Sequence, residues 1–195
     1  MTEPRWFSGT KDGHSQWYVQ RFRDLASEGA DLEGEARFVN ALAAPGSSVL
    51  DAGCGTGRLG HALHRWGHEV TGVDVDPVLI DEATTQRPGP SWRVADLASM
   101  DLGRTFDVVV TAGNVMVFLA PDSEATVVRN LADHVADGGT LVLGFRLDLH
   151  YSLELLDEHL AAAGFGVDAR FATWDLRPLG DEPDFAITVA RRING

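Results

Sequence analysis

The sequence predicts a doubly wound α/β fold, in which helices cover both faces of a mostly parallel sheet. From residue 47 onward, short apolar runs alternate with segments of helical periodicity, a pattern typical of strands joined by crossover helices. The runs at residues 106–111 and 140–145 are almost entirely apolar, as expected for strands buried on both faces. With 195 residues, of which 44% are hydrophobic, the chain is long enough to bury the core of one such domain.

Five strands are predicted along this alternation. Each is a short run bounded by polar or glycine-containing segments. The predicted strands are Ser48–Ala52, Glu69–Asp74, residues 91–95, Phe106–Thr111 and residues 140–145.

Helices are predicted in the connections between these strands. The connection after the first strand carries an apolar stripe at i, i+3, i+4 and i+7, formed by Leu59, Ala62, Leu63 and Trp66. Asp76 and Pro77 predict the start of the next helix, because Asp caps a helix N-terminus and Pro is tolerated at its first position. Two further helices are predicted over residues 122–136, with Asp137-Gly138-Gly139 as a cap, and over residues 152–163.

The last part of the chain predicts an antiparallel hairpin at one edge of the sheet. Residues 166–174 and 184–191 both alternate between apolar and polar side chains, and the loop between them shows no helical pattern. Two strands that follow each other without a crossover helix pair antiparallel.

Residues 1–46 are predicted to form a helical lid or extension that precedes the domain at residues 47–195. Two apolar stripes support helices here, one of Tyr18, Phe22, Leu25 and Ala26, the other of Ala36, Val39, Leu42 and Ala43. Five of the sixteen aromatic residues lie within residues 6–23, namely Trp6, Phe7, Trp17, Tyr18 and Phe22. Such a concentration of aromatic residues indicates either a recognition surface or contacts that pack the N-terminal helix against the sheet.

Charge and composition exclude several classes of function. The excess of 29 acidic over 16 basic residues gives a net charge of −13, the wrong sign for a protein that binds nucleic acid. Lys11 is the only lysine, so the chain has no lysine-containing phosphate loop and no buried lysine for a Schiff base. Cys54 is the only cysteine, which excludes an internal disulfide and fits a reducing, cytoplasmic setting. Neither a signal peptide nor a membrane span is expected, because no apolar run is long enough.

The most informative stretch is a glycine turn that joins the first strand directly to a helix. Gly53, Gly55 and Gly57 alternate along it, and such a turn lets a ligand approach the backbone at a helix N-terminus. Gly55, Gly57 and Gly60 also fit the dinucleotide pattern Gly-x-Gly-x-x-Gly. If the pattern is instead counted from Gly53, its third glycine position is occupied by Arg58. In addition, the acid Asp51 before the turn would repel a pyrophosphate and attract an ammonium group.

With these residues the chain resembles the class I S-adenosylmethionine-dependent methyltransferases, in particular their small-molecule branch. VLDAGCGTGR at residues 49–58 is similar to their first motif, and VTGVDVDP at residues 70–77 to their second strand with its terminal acid. VADLASM, FDVVVTAGNVMVFL and DGGTLVLGF are similar to their third, fourth and fifth strands. The resemblance covers about residues 35–192 and implies a seven-stranded sheet with an antiparallel last strand.

The resemblance also implies which residues bind the cofactor, S-adenosylmethionine. The glycine turn would line its methionine part, with Asp51 near the amino group, and Asp74 would accept hydrogen bonds from both ribose hydroxyls. Asp96 and Leu97 would contact the adenine, and the residues after the fourth strand would lie beside the sulfonium. The complete implied set is Asp51, Gly53, Cys54, Gly55, Thr56, Gly57, Asp74, Val75, Asp96, Leu97, Ala112, Gly113 and Asn114.

The acceptor side is predicted beside the end of the fifth strand, because open α/β sheets bind ligands at the carboxyl ends of their strands. His150 is the candidate general base, since imidazole titrates near neutrality, although a surface histidine at a helix start is an equal alternative. Asp148 belongs to the same segment. The candidate substrate residues are Tyr18, Arg23, Arg146, His150 and Tyr151.

No metal site is expected. His61, His64 and His68 fall off the apolar stripe, and we interpret them as a solvated helix face rather than as ligands. Asp74 and Asp76 could hold a divalent ion, but a strand end followed by proline favours a ribose contact and a helix cap.

The favoured hypothesis is a methyltransferase that moves a methyl group from S-adenosylmethionine to a small-molecule acceptor by in-line displacement. Two alternatives stay open. One is an NAD- or NADP-dependent oxidoreductase, favoured by the spacing of Gly55, Gly57 and Gly60. The other is a protein that binds S-adenosylmethionine without turnover. Neither the acceptor nor the oligomeric state follows from the sequence.

Overall fold

Seven strands form one sheet in the computed structural model, which describes residues 2–147 and 149–193. The strands are β1 (Ser48–Ala52), β2 (Glu69–Asp74), β3 (Ser91–Val94), β4 (Phe106–Thr111), β5 (Val135–Arg146), β6 (Phe165–Phe171) and β7 (Phe185–Arg192). Their order across the sheet is β3-β2-β1-β4-β5-β7-β6. The pairs from β3 to β5 are parallel, whereas β7 pairs antiparallel with both β5 and β6. The predicted sheet and its edge hairpin are confirmed.

Helices precede the sheet and connect its strands. They are α1 (Arg5–Ser8), α2 (His14–Ser27), α3 (Gly34–Leu42), α4 (Arg58–Arg65), α5 (Pro77–Gln86), α6 (Glu124–Asp133) and α7 (Leu153–Ala162), with a 3-10 turn at Val115–Val117. Within residues 2–147 and 149–193, none of the helices is long and apolar enough to cross a membrane.

The core lies on both faces of the sheet, which confirms the doubly wound arrangement. On one face, apolar side chains of α6 and α7, among them Leu131 and Leu156, pack against the strands. On the other face, side chains of α3 and α4, among them Val39 and Leu63, do the same. These four residues are completely buried.

The strand order reverses between β1 and β4. From β1 the chain continues through β2 to β3 on one side, and from β4 it continues to β5 on the other. The connections therefore leave the two strands in opposite directions and open a crevice at their carboxyl ends, where open α/β sheets bind ligands. The fold thus places the predicted glycine turn, which follows β1, at this crevice.

The segment between α6 and β5 differs from the prediction. The helix ends at Asp133, and residues 135–139 belong to β5 instead of extending and capping the helix. Gly138 has a φ of +73°, and the pairing register between β4 and β5 shifts between Phe106 and Val108. The Gly138-Gly139 pair therefore marks an irregularity within a strand, a role that glycine fills as well as that of a helix cap.

Two side chains near α4 also differ from the prediction. Trp66 caps the C-terminus of α4 and is 38% exposed, so it lies outside the buried stripe. His68 is only 4% exposed, and its Nε2 atom lies 2.9 Å from Oδ1 of Asn40 in α3. The interpretation of His68 as part of a solvated face is therefore wrong, because the chain turns back into the sheet directly after α4.

Candidate active site

A cavity of about 590 Å³ lies at the carboxyl ends of β1, β2 and β4. The loops that follow these strands form one side of it, and α1 and α2 cover the other. This volume falls within the range of roughly 300–1,000 Å³ that small-molecule sites occupy.

The turn after β1 presents backbone to the cavity. Gly53 and Gly55 line the cavity with φ angles of +78° and +55°, a left-handed conformation that glycine adopts without strain. The N–H groups of Gly53 and Cys54 donate to the carbonyl of Val73 at 2.8 and 2.9 Å, which fixes the turn to β2. A Cβ atom on Gly53 would lie 2.4 Å from a methyl group of Val115, so the turn and the loop after β4 touch without room for a side chain.

Asp74 ends β2 at the cavity wall. One of its carboxylate oxygens accepts from the N–H of Gly55 at 2.8 Å, and the other from the N–H of Asp76 at 3.0 Å. Burial raises the pKa of the Asp74 carboxyl to about 6, although both hydrogen bonds favour the charged form. Each carboxylate oxygen can accept a second hydrogen bond, so Asp74 can still bind hydroxyl donors of a ligand.

Asp51 lies beneath the turn and is 1% exposed. Its carboxylate accepts from the N–H of Gly60 at 3.0 Å, and burial raises the pKa of this carboxyl to about 7. Asp51, Glu35 and Arg58 line a second cavity of about 30 Å³, which shares the wall residue Gly53 with the large one. This cavity has space for about one water molecule or one small polar group.

The ends of β2 and β3 bring three more of the implied residues to the large cavity. These are Val75, Asp96 and Leu97. Asp96 accepts from the N–H of Ala98 at 2.9 Å through one carboxylate oxygen, which closes a local turn. Its other oxygen has no hydrogen-bond partner in the described chain, so it is available to a ligand.

The loop after β4 contributes Ala112, Gly113 and Asn114 to the cavity wall. Asn114 has a φ of +73°, and its Oδ1 atom accepts from the backbone N–H of Arg146 at 3.0 Å. This hydrogen bond ties the loop to the end of β5. A Cβ atom on Gly113 would meet nothing within 4 Å, which shows that this part of the wall faces open space.

Four of the implied cofactor residues do not line the large cavity, namely Asp51, described above, and Cys54, Thr56 and Gly57. Cys54 lines only the small cavity, and burial raises the pKa of its thiol well above the ordinary value. Thr56 is buried, and its hydroxyl has no hydrogen-bond partner among the described residues. Gly57 caps α4 and lies against the ring of Trp92. Cys54, Thr56 and Gly57 therefore belong to the part of the turn that does not face the large cavity.

Of the candidate substrate residues, Tyr18 and Arg146 line the cavity. The Tyr18 ring lies over the glycine turn, 3.5 Å from the position of a Cβ atom on Gly55, and burial raises the pKa of its phenol. Asp148, which the sequence places in the same segment as Arg146, lies outside the described residues.

The other three candidate substrate residues do not line the cavity. Arg23 forms a two-point ion pair with Glu82 of α5, at 2.9 and 2.5 Å. Tyr151 is 1% exposed, and its hydroxyl lies 2.9 Å from Nδ1 of His159, within the core. The exposed His150 does not reach the cavity either, because β5 ends at residue 146 and the chain turns away towards α7.

An aromatic roof covers the cavity, and the sequence indicated only part of it. It consists of Trp6, His14, Trp17, Tyr18, Phe22 and Phe118. The ring of Trp6 makes edge-to-face contacts with His14, Tyr18 and Phe118 at centroid distances of 4.6, 5.5 and 5.4 Å. The aromatic density of residues 6–23 pointed to this roof, but the roles of His14 and Phe118 depend on contacts between distant segments.

Within the described ranges, no three His, Cys, Asp or Glu side chains are grouped so that they could hold a metal ion.

The fold and the cavity together define an α/β protein with a ligand cavity at the switch point of its sheet. Residues 49–139 match the family described as methyltransferase domain. The solved TehB-like SAM-dependent methyltransferase of Corynebacterium glutamicum is 38% identical, with a TM-score of 0.89 over 94% of this chain and 100% of that one. The chain belongs to the class I S-adenosylmethionine-dependent methyltransferases, as its motifs predicted.

Curated relatives each match part of the chain. The magnesium-protoporphyrin O-methyltransferase of Rhodobacter capsulatus is 42% identical over 113 residues, which cover 53% of this chain and 49% of the relative. The ubiquinone biosynthesis O-methyltransferase of Xanthomonas campestris is 32% identical over 153 residues, which cover 69% and 62%. The chain therefore spans about half to three fifths of the length of these relatives.

Proposed function

We propose that this protein transfers the methyl group of S-adenosylmethionine to a small-molecule acceptor. One observation carries the proposal: a single cavity is lined on one side by the glycine turn and by Asp74 and Asp96, and on the other by the aromatic roof. The first side suits a nucleoside-containing cofactor, and the second suits an organic acceptor beside it.

The residues of the first side fit the cofactor. Asp74 can accept hydrogen bonds from a ribose diol, and the free oxygen of Asp96 can accept from an adenine amino group. The buried carboxyl of Asp51 supplies the countercharge for an ammonium group. When bound, S-adenosylmethionine supplies a methyl carbon that its sulfonium already activates.

The contribution of the chain is then mainly alignment and exclusion of water. Holding an acceptor in line with the methyl group can contribute roughly 7–11 kcal/mol to the lowering of the barrier. A general base is needed only if the acceptor must lose a proton. Among the described residues, His14 is the histidine in the cavity wall, so we assign this role to His14 instead of His150.

We further propose that the N-terminal extension acts as a lid, that the protein works in the cytoplasm and that nucleic acid is not its acceptor. The cavity lies between α1 and α2 and the sheet, which supports the lid. Cys54 is a free, buried thiol, which suits a reducing compartment. The net charge of −13 argues against a nucleic-acid acceptor.

Ligand-dependent melting tests the proposed cofactor. We expect S-adenosylhomocysteine to raise the melting temperature, with a stabilisation of about 2.7 kcal/mol at a concentration of 100 times its Kd. NAD and NADP should leave the melting temperature unchanged. Stabilisation by NAD or NADP alone would instead support the oxidoreductase hypothesis.

A screen of acceptors then separates an enzyme from a binding protein. Candidate small molecules are incubated with the protein and S-adenosylmethionine, and mass spectrometry detects the addition of a methyl group. If the protein binds S-adenosylhomocysteine but methylates no compound in a broad panel of hydroxyl, amine, thiol and inorganic acceptors, the proposal of turnover fails.

The affinity for S-adenosylhomocysteine is expected to rise with pH. Asp51 must be ionised to bind an ammonium group, and its pKa in the free protein is about 7. Below this pH the affinity should fall by up to about tenfold per unit. Calorimetry between pH 6.5 and 8.5, above the pKa of about 6 of Asp74, measures this dependence, which should become much shallower in Asp51→Asn. An equally steep profile in that variant would contradict the role of Asp51.

Unlike the affinity, the free energy of unfolding of the ligand-free protein should fall as the pH rises. Since the native pKa of Asp51 lies above the ordinary value of 3.8, its neutral form favours the native state. The resulting stabilisation is present below about pH 4 and is lost as the pH rises to about 7, with a magnitude of up to about 4 kcal/mol. Asp51→Asn should therefore gain stability relative to the wild type over this interval.

A further inference from the structure

Asp76 connects three parts of the molecule through one buried carboxylate. It is the cap of α5, where its Oδ1 atom accepts from the N–H of Val78 at 2.8 Å. Its Oδ2 atom accepts from the indole N–H of Trp6 at 2.7 Å and from the hydroxyl of Ser15 at 2.5 Å. Trp6 belongs to α1 and Ser15 to α2, so this oxygen binds both helices that cover the cavity.

The same residue is joined to the cofactor side of the cavity. The backbone N–H of Asp76 donates to Oδ1 of Asp74 at 3.0 Å, and Asp74 is the acid assigned to the ribose. The residue that binds the covering helices is therefore hydrogen-bonded directly to the acid assigned to the ribose.

The backbone at the start of α1 is fixed to the other wall of the cavity. The backbone N–H groups of Arg5 and Trp6 donate to the carbonyls of Leu119 and Phe118 at 3.3 and 3.2 Å. The guanidinium of Arg5 also pairs with Glu124 of α6 at 3.1 Å. The first turn of α1 is thus held on one side by Phe118, Leu119 and Glu124 and on the other side, through the Trp6 side chain, by Asp76.

We propose that Asp76 is a positioning residue, which holds α1 and α2 closed over the bound cofactor and orients the aromatic roof through Trp6. The proposal rests on the proposed function. A helix cap needs only one oxygen acceptor, which Oδ1 provides. Oδ2 therefore has a separate role, and its two donors both come from the covering helices. Because Trp6 contacts His14 and Tyr18, its hydrogen bond to Asp76 also places these side chains.

The substitution Asp76→Asn separates the cap from the contact with the roof. The amide oxygen can still accept from Val78, and Asn caps a helix as well as Asp does. The amide nitrogen then faces the Trp6 indole, which is a donor only, so this hydrogen bond is lost. A matched control is Asp101→Asn, since the Asp101 carboxylate also closes a local turn, with the N–H of Gly103 at 2.9 Å, but is exposed and outside the cavity.

The experiment measures two quantities on the full-length protein. Surface plasmon resonance gives the association and dissociation rates of S-adenosylhomocysteine, and hydrogen exchange gives the protection of residues 5–27 with and without this ligand. For Asp76→Asn we expect a dissociation rate about tenfold or more higher, an association rate within about threefold of the wild type and a nearly unchanged melting temperature. Exchange of residues 5–27 should be faster already without ligand. Asp101→Asn should match the wild type in both measurements.

A double-mutant cycle with Trp6→Phe identifies the contact responsible. In the Trp6→Phe background, Asp76→Asn should add little to the dissociation rate, because the indole donor is already absent. Fully additive effects would overturn the assignment to this pair, and wild-type exchange of residues 5–27 in Asp76→Asn would overturn the proposal as a whole. If the wild type does not bind S-adenosylhomocysteine, the proposed function fails, and the exchange of the ligand-free variant alone decides whether Asp76 holds the helices.

Discussion

Replacing Asp74 by alanine is expected to weaken S-adenosylhomocysteine binding by about tenfold to a hundredfold and to destabilise the protein by about 2–4 kcal/mol. The loss of binding follows because a hydrogen bond to a charged group contributes about 1.5–3 kcal/mol. The loss of stability follows because the N–H groups of Gly55 and Asp76 lose their acceptor. An unsatisfied buried donor costs roughly 1–3 kcal/mol, and water in the cavity reduces this cost. Calorimetry and chemical denaturation measure the two effects.

Two further variants show whether the loss of binding is specific. Asp74→Asn keeps one oxygen acceptor and should fall between the wild type and Asp74→Ala in both measurements. Asp107→Ala removes a carboxylate that accepts from the N–H of Ser48 at 2.7 Å, in the β1 and β4 region but outside the cavity. It should lower stability without changing the affinity. Unchanged affinity in Asp74→Ala would exclude Asp74 from the cofactor site.

Among alanine substitutions in the glycine turn, Gly53→Ala is expected to cause the largest losses of ligand affinity and of stability. The new Cβ atom would lie 2.4 Å from Val115, so the glycine turn and the loop after β4 must separate. Both loops line the cavity, and we therefore expect loss of detectable S-adenosylhomocysteine binding together with a destabilisation of about 2–4 kcal/mol. Thermal melting and calorimetry test this expectation.

Two other glycines provide matched controls, because they share the backbone conformation of Gly53. Gly46 has a φ of +79°, and a Cβ atom there would meet nothing within 4 Å, so Gly46→Ala measures the cost of the left-handed conformation alone. That cost is about 1–2 kcal/mol. Gly113, with a φ of +71°, also has free space around its Cβ position but lines the cavity. Gly113→Ala should therefore match Gly46→Ala in stability and differ from it in affinity. If Gly53→Ala and Gly46→Ala are equally stable, the contact with Val115 does not contribute to the destabilisation.

The sheet and the cavity wall formed by the glycine turn could be predicted from the sequence because their signals are local. An apolar run defines β4, and the glycine turn between a strand and a helix needs only neighbouring residues to be recognised. The resemblance to a known family then supplied the roles of Asp74 and Asp96. The segment at residues 133–139 could not be predicted in the same way, since a glycine pair fits a helix cap and a strand irregularity equally well.

The wall formed by the aromatic roof was predicted less well because it is built from segments that are distant in the sequence. His150 follows β5 in the chain, but the path of the backbone carries it away from the cavity, whereas His14 reaches the wall from α2. The sequence likewise identified Asp76 as a helix cap, which accounts for only one of its oxygens. The partners of the other oxygen lie 61 and 70 residues away, and no local pattern indicates them.

The anchoring of α1 also has a consequence for the synthesis of the chain. Arg5 binds Leu119 and Glu124, which are 114 and 119 residues further along, so α1 cannot dock until these partners have been made. At about 5–20 residues per second, this interval lasts roughly 6–24 s. During this time the ring of Trp6 lacks its contact with Phe118. The helix α1 therefore cannot close the cavity until β1 to β4 have been synthesised.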